Sequence, residues 1–442
     1  MKTPVADFVR EYAESGTLRL HMPGHKGAGT IEQADITEIR GADPLYPARG
    51  ILRESEENAA ALFGAGRTVY SAEGSSLCIR AMLTLVRMRA NAENIPPVIL
   101  AGRNAHTAFI CGAALADVQV EWLRGEDLLS CRPAREMVAA RLDEMKPLPA
   151  AVYLTSPDYL GRRADIAGIA AVCHARGVPL LADNAHGAYL RYLEEDLHPL
   201  SLGADMTCDS AHKTLPALTG AAVLHIHKNA PEIFRAQAER AMALHASTSP
   251  SWLILRSLDE CNAYLADGGA EEIRKTAARV EELKKRLTEA GYTLAGDEPL
   301  KVTIAPKARG YTGDELHDLL RGKGMECEFS DPDFLVAMIT PATGTDGLKR
   351  LEEALLDIPA REAITERPPE APEGERVLSL REAMLSEAER IPVNESIGRI
   401  VADPCVSCPP AVPVVMAGER IGEDTVRCMR YYGQEYIGCV KE

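Results

Sequence analysis

Three short stretches place reactive side chains at the ends of apolar runs. The first, Ser71-Ala72-Glu73-Gly74-Ser75-Ser76, is a Gly-Ser turn that feeds a long amphipathic stretch. Backbone N–H groups and the positive dipole end of a helix starting there would cradle a phosphate or another anion, with Gly74, Ser75 and Ser76 nearest to it. The second is Asp183, which closes the run VPLLAD and precedes Asn184-Ala185-His186-Gly187. The carboxyl ends of parallel strands are where ligands bind, and a carboxylate there can hold a proton on a heterocycle nitrogen. The third is Ser210-Ala211-His212-Lys213-Thr214, just past another apolar run. A lysine at a strand end, desolvated by its pocket, can form a Schiff base.

Singly, each feature is ordinary. Serines cap helices and a capping Asp or a surface Lys needs no ligand. Together, in this chain order, they are the parts that a pyridoxal 5'-phosphate site requires: a phosphate cradle, a carboxylate for the ring nitrogen, and Lys213 to hold the cofactor and exchange with a substrate amine.

The elements that must position these residues alternate. A helix pattern over 54–62 ends near Gly64 and Gly66. PVILAG (97–102), AAVYLTSP (150–157), VPLLADNAHG (178–187), MTCDSAHK (206–213) and AAVLHI (221–226) read as strands, and IAGIAAVCHARG (166–177) as a helix ending at a glycine. Such alternation predicts an α/β fold with a mainly parallel sheet covered on both faces. The first 50 residues, rich in Gly and Pro, read as an irregular arm. Beyond Ser249-Pro250, residues 251–290 read as helical throughout, with Ile273, Ala277, Val280, Leu283 and Leu287 on one face. Short strands at 300–306, 325–330 and 334–340 and helices at 313–321 and 345–357 make a small α+β domain. A Pro-rich, charged stretch has no core of its own. The last unit opens with a helix, LSLREAMLSEAER. The expected boundaries are an arm at 1–50, a large cofactor domain at 51–248, a small α+β domain at 249–358, a linker at 359–376 and a C-terminal domain at 377–442.

Composition bounds the partners. The chain has 442 residues, 46% hydrophobic and 26% charged, and a net charge of −16. That charge argues against nucleic-acid binding, which needs a basic patch, and suits a cationic substrate. No apolar run reaches the ~18 residues of a spanning helix, and the N-terminus carries charges where a signal peptide needs an apolar stretch. The expectation is a cytoplasmic protein with no membrane partner. The eleven cysteines are scattered and fit no disulfide framework. Cys405 and Cys408, with Cys428 and Cys439, could ligate zinc only in principle, and the reading is no metal.

The sequence also resembles the Orn/Lys/Arg decarboxylases of pyridoxal-phosphate fold type I, in their short form. The matching stretches are HMPGHKG (21–27), DITEIRGADPLYPARG (35–50), GRNAHTAFICGAAL (102–115), TSPDYLGRRADI (155–166), PLLADNAHGAYL (179–190), GADMTCDSAHKTLPALTGAAVLH (203–225), HASTSPSWLILRSLD (245–259) and GRIVADPCVSCPPAVPVVMAGE (398–419). The resemblance implies a fold type I large domain, a small α+β domain and a C-terminal appendage. It implies α-decarboxylation of lysine, ornithine or arginine to the amine and CO2. By the same resemblance His106 would stack on one face of the cofactor ring and Ala185 lie under the other. Ser75, Ser210 and His212 would lie near the phosphate. Thr248 and Ser249 would reach across a homodimer, or a higher homo-oligomer, to complete the neighbouring site. His186 or Lys213 would supply the proton that ends the reaction. Five neighbours depart from the family pattern: Asn184 stands for Glu, Tyr46 for His, Asp158 for Thr, Gly220 for Gln and Cys78 for a small residue. Aminotransfer or C–S lysis on the same scaffold, or a non-catalytic binding protein, stay open, because fold does not fix chemistry.

Overall fold

The computed structural model describes residues 1–123, 132–370, 374–408 and 412–442, with the side chains of 405–408 and 412 outside that description. The chain divides into two compact units. The first comprises Met1–Ile99, Arg141–Ser156 and Ile166–Glu272, and the second Leu100–Ala140, Pro157–Asp165 and Ile273–Glu442.

The first unit is built on a sheet whose strands run β1 (Arg67–Ser71), β7 (Ala222–Ile226), β6 (Met206–Asp209), β5 (Leu180–Asp183), β4 (Ala151–Thr155) and the start of β2 (Val98–Gly102). β5 pairs in parallel with β4 and β6, whereas β7 is antiparallel to β6 and to β1. Every residue of β5, β6 and β7 is buried. Strands buried along their whole length mark a sheet covered on both faces. One cover is helix α3 (Gly74–Glu93), which buries Leu77, Ile79, Met82 and Leu83.

The arm is more ordered than its composition predicts. Helix α1 (Pro4–Glu14) buries Val5, Ala6 and Val9 and has Pro at its first turn, where a missing N–H costs nothing. Asp259 supplies the cap from far along the chain: its Oδ2 accepts from Val5 N at 2.9 Å and Ala6 N at 3.0 Å, and Ser55 Oγ donates to its Oδ1 at 2.5 Å. The predicted helix at 54–62 begins earlier, as α2 (Gly50–Phe63). The single helix expected over 251–290 is two, Trp252–Tyr264 and Ala270–Glu289. They break where Asp267 and Gly268 leave helical geometry, Gly268 at φ +111°.

In the second unit, β3 (Gln119–Leu123) follows helix α4 (Thr107–Ala116) and lies beside β2. A four-stranded sheet runs β10 (Phe329–Ser330), β11 (Leu335–Met338), β9 (Lys301–Ala305) and β8 (Thr293–Ala295), antiparallel throughout. The strand expected over 325–330 shrinks to its last two residues. At the C-terminal end the predicted long helix is only Leu380–Leu385, because residues 388–392 pair with Tyr436–Val440 instead. That end has its own apolar cluster, which includes Val401, Val415, Met429 and Ile437. Cys428 and Cys439 lie within it, and burial pushes both thiols up to about 11. The side chains of Cys405 and Cys408 lie outside the described residues.

Candidate active site

Strand ends of the first unit gather most of the candidate residues. Asp183 terminates β5 and is 2% exposed. Its Oδ1 accepts from Ala185 N at 3.1 Å and from Cys208 Sγ at 3.5 Å, and its Oδ2 accepts from Tyr153 OH at 3.2 Å. Burial first, and then the Asp183 charge, push the Tyr153 phenol and the Cys208 thiol well above their usual values. Both therefore stay protonated and act as donors, so the carboxylate is held in orientation as an acceptor.

Three residues on, His186 is 6% exposed. Its Nε2 lies 3.0 Å from Lys213 Nζ. Lys213, half-buried, follows β6 in the short helix Ala211–Thr214, so β5 and its parallel neighbour deliver one member of the pair each. A proton can pass between the two nitrogens at this separation.

The Gly-Ser turn stands at the start of α3, whose N-cap residue, Glu73, makes no side-chain cap. First-turn N–H groups have no intrahelical partner, so this end can receive an anion. Gly74 sits at φ +72°, and a Cβ there would meet nothing; the turn requires glycine for its backbone while the space in front stays open. Ser210 Oγ donates to Ser75 Oγ at 2.8 Å, with Ser210 buried, which leaves the Ser75 proton to point elsewhere. His212 Nδ1 donates to Ala221 O at 2.8 Å, which fixes the proton of a neutral ring on that nitrogen. An uncapped helix start, paired hydroxyls, a lysine and a buried carboxylate fit a phosphate-bearing aldehyde cofactor.

The remaining candidates are Thr248, Ser249 and His106. Thr248 and Ser249 are exposed, on a loop whose Ser247 N donates to Glu73 Oε1 at 2.8 Å. His106 belongs to the second unit. It is exposed at the N-terminus of α4, and its Nδ1 accepts from Ala108 N at 3.1 Å.

Four of the departures have local explanations. Gly220 has φ +97°, and a Cβ there would press on Ala72 O at 3.0 Å; its carbonyl accepts from Gly74 N at 2.8 Å, so a glutamine would strain the cradle. Tyr46 OH donates to Tyr70 O at 2.5 Å. Asp158 turns the chain by accepting from Arg162 N at 2.8 Å. Asn184, fully buried, donates from Nδ2 to Asp209 Oδ1 at 2.9 Å, and the other oxygen of Asp209 lies 2.7 Å from His198 Nε2. Burial raises the Asp209 carboxyl, but His198, His225 and the Asn184 amide outweigh it and hold it below its ordinary value. Burial pushes His225 down to about 4, so that ring is neutral.

A second carboxylate at 184 would face Asp209 with no water between them. Asn184→Asp is expected to lose about 3 kcal/mol of stability, the scale of a broken buried pair. One acid of the new pair would keep its proton in the folded state, with its pKa raised above the unfolded value. The loss should therefore be small at pH 4 and grow as pH rises to 8. Denaturant melts at both pH values check this. An equal deficit at each would mean that charge is not the cause.

Tyr153 and Asp209 were not among the residues picked out from the sequence. A tyrosine inside a buried apolar strand must find a partner for its hydroxyl, and that was the available signal for Tyr153.

Comparison with known proteins agrees with the geometry. Residues 3–347 match the family described as Orn/Lys/Arg decarboxylase, major domain, and residues 367–435 match its C-terminal domain. An arginine decarboxylase of Bacillus subtilis is 28% identical, over 96% of this chain and 92% of its own. One from Halalkalibacterium halodurans is 27% identical, over 97% and 93%. Among solved structures, the Francisella novicida lysine decarboxylase superposes with a TM-score of 0.78 at 17% identity, over 99% of this chain and 81% of that one. The constitutive lysine decarboxylase of E. coli gives 0.76 at 18% identity, over 100% and 82%.

Proposed function

The chain belongs to the Orn/Lys/Arg decarboxylase family, and from that premise we propose that it removes the α-carboxylate of a basic amino acid, arginine, lysine or ornithine, giving CO2 and the amine. It is a pyridoxal-phosphate-dependent decarboxylase. The observation that carries the site assignment is the Lys213–His186 pair, 3.0 Å apart, delivered by the segments that follow the adjacent parallel strands β6 and β5. The sequence relatives named arginine decarboxylase make arginine the first substrate to test.

Pyridoxal phosphate, when bound, supplies the electron sink for the bond that breaks. Lys213 would hold it covalently. Gly74, Ser75 and Ser76 at the helix start, with Ser210 and His212, would hold its phosphate. Asp183 would keep the proton on the ring nitrogen, its orientation set by Tyr153, Cys208 and the Ala185 N–H. His106 would lie on one ring face and Ala185 beneath the other, where a small side chain leaves room. Lys213 and His186 are the two groups placed to exchange a proton, and one of them would protonate the substrate Cα. Incubating holoenzyme with each amino acid and separating the amines tests this reading. Agmatine, cadaverine or putrescine is the supporting product. A keto acid, or no amine with cofactor fully bound, would overturn it.

The working assembly in this reading is a homodimer in which Thr248 and Ser249 reach the neighbouring site. Two features support it: the exposure of those two residues, and Leu18 and Leu20 in the arm, 78% and 83% exposed, an apolar surface of the kind that a second copy covers. A Lys213→Ala chain mixed with a Thr248→Ala, Ser249→Ala chain should regain part of the activity, since one site of each mixed dimer carries neither lesion. No recovery after verified subunit exchange would mean that each chain builds its own site.

A further inference from the structure

His106 caps α4, and the chain beyond residue 374 grips α4 at both ends. Three residues before His106, Arg103 is buried. Its two terminal nitrogens donate to the two oxygens of Glu419, NH1 to Oε1 at 2.8 Å and NH2 to Oε2 at 2.7 Å. Glu419 is 4% exposed, and its Oε2 also accepts from Met416 N at 2.9 Å. At the other end of the helix, Arg381 NH1 donates to Ala114 O at 2.8 Å, in the last turn of α4, where a cation complements the helix dipole. Beside it, Arg376 holds β3 through Val120 O at 2.8 Å and Glu121 Oε1 at 2.9 Å.

A buried ion pair adds little stability over apolar packing of the same volume. What the two-pronged arginine–carboxylate contact does supply is a fixed angle, since both planar groups must align. We propose that Glu419 and Arg381 are positioning residues for the reaction: through Arg103 and the α4 carbonyls they set the helix start that orients the His106 imidazole. The C-terminal segment thus acts on the chemistry through His106. This inference rests on the ring-stacking role given to His106 above.

Glu419→Gln keeps the volume and removes one charge of the pair. Its kcat should fall about tenfold, the scale of a small misplacement, with KM within about twofold. The visible circular dichroism of the bound cofactor should change, and pyridoxal phosphate should bind the apoenzyme several-fold more weakly. In a His106→Ala background the same substitution should add nothing further to the dichroism or to cofactor affinity. Arg381→Ala, at an exposed position, gives a milder form of the same changes, restored by Arg381→Lys, and serves if the buried variant fails to fold. Losses from Glu419→Gln and Arg381→Ala that persist in full beside His106→Ala, or fall only on the apoenzyme melting temperature, overturn the inference alone. A His106→Ala holoenzyme with unchanged dichroism and affinity overturns the stacking role and the inference with it.

Discussion

Lys213→Ala abolishes turnover, by on the order of 10⁴-fold or more, while the protein stays folded. Lys213 is a half-buried amine in the short helix that follows β6, and its Nζ has His186 Nε2 at 3.0 Å. Its main-chain N–H donates to Ser210 O, a bond that alanine retains, so the short helix after β6 should persist. The variant should melt near the parent temperature as apoenzyme and lose the visible absorbance of lysine-bound cofactor. Substantial CO2 release from the variant would mean that another group holds the cofactor.

Asp183→Asn lowers the rate by about 10² to 10⁴-fold and leaves the cofactor attached to Lys213. The amide has no negative charge to hold a proton on the ring nitrogen, so the electron sink weakens. Its NH2 group would also face a donor that now points at a carboxylate oxygen: Tyr153 OH at 3.2 Å on one side, or Ala185 N at 3.1 Å and Cys208 Sγ at 3.5 Å on the other. A fully loaded variant with nearly normal kcat would assign the ring nitrogen to some other acid.

The parts of the site that follow from local chemistry were legible in the sequence. Asp183 stands out because an ionisable side chain that closes a continuous apolar run marks a strand end in an α/β protein, and Lys213 because it follows the next buried strand by four residues. The Gly-Ser turn announces a helix start in the same way. What escaped depends on partners distant in the chain. Helix α1 is capped by Asp259, 254 residues from Val5, so its own composition reads only as an arm. Glu419 reaches Arg103 across 316 residues, and no spacing rule links them. β1 (Arg67–Ser71) is five residues between two glycine-rich turns, too short to show a period. The break at Asp267-Gly268 was missed because the apolar face repeats on both sides of it. Asn184 read as a departure from a pattern; only its contact with Asp209 shows that a carboxylate still occupies this buried cluster, on the adjacent strand.

The residues around Lys213 are expected to direct loss of the α-carboxylate rather than transfer of the amine. The most direct measurement feeds holoenzyme with arginine, lysine and ornithine labelled at the carboxyl carbon and follows both products of each. Release of the label as CO2 from one of them, matched mole for mole by its amine and dependent on added pyridoxal phosphate, is the predicted result. Retention of the label in a keto acid, or no release from any of the three with the cofactor's visible absorbance intact, would contradict it.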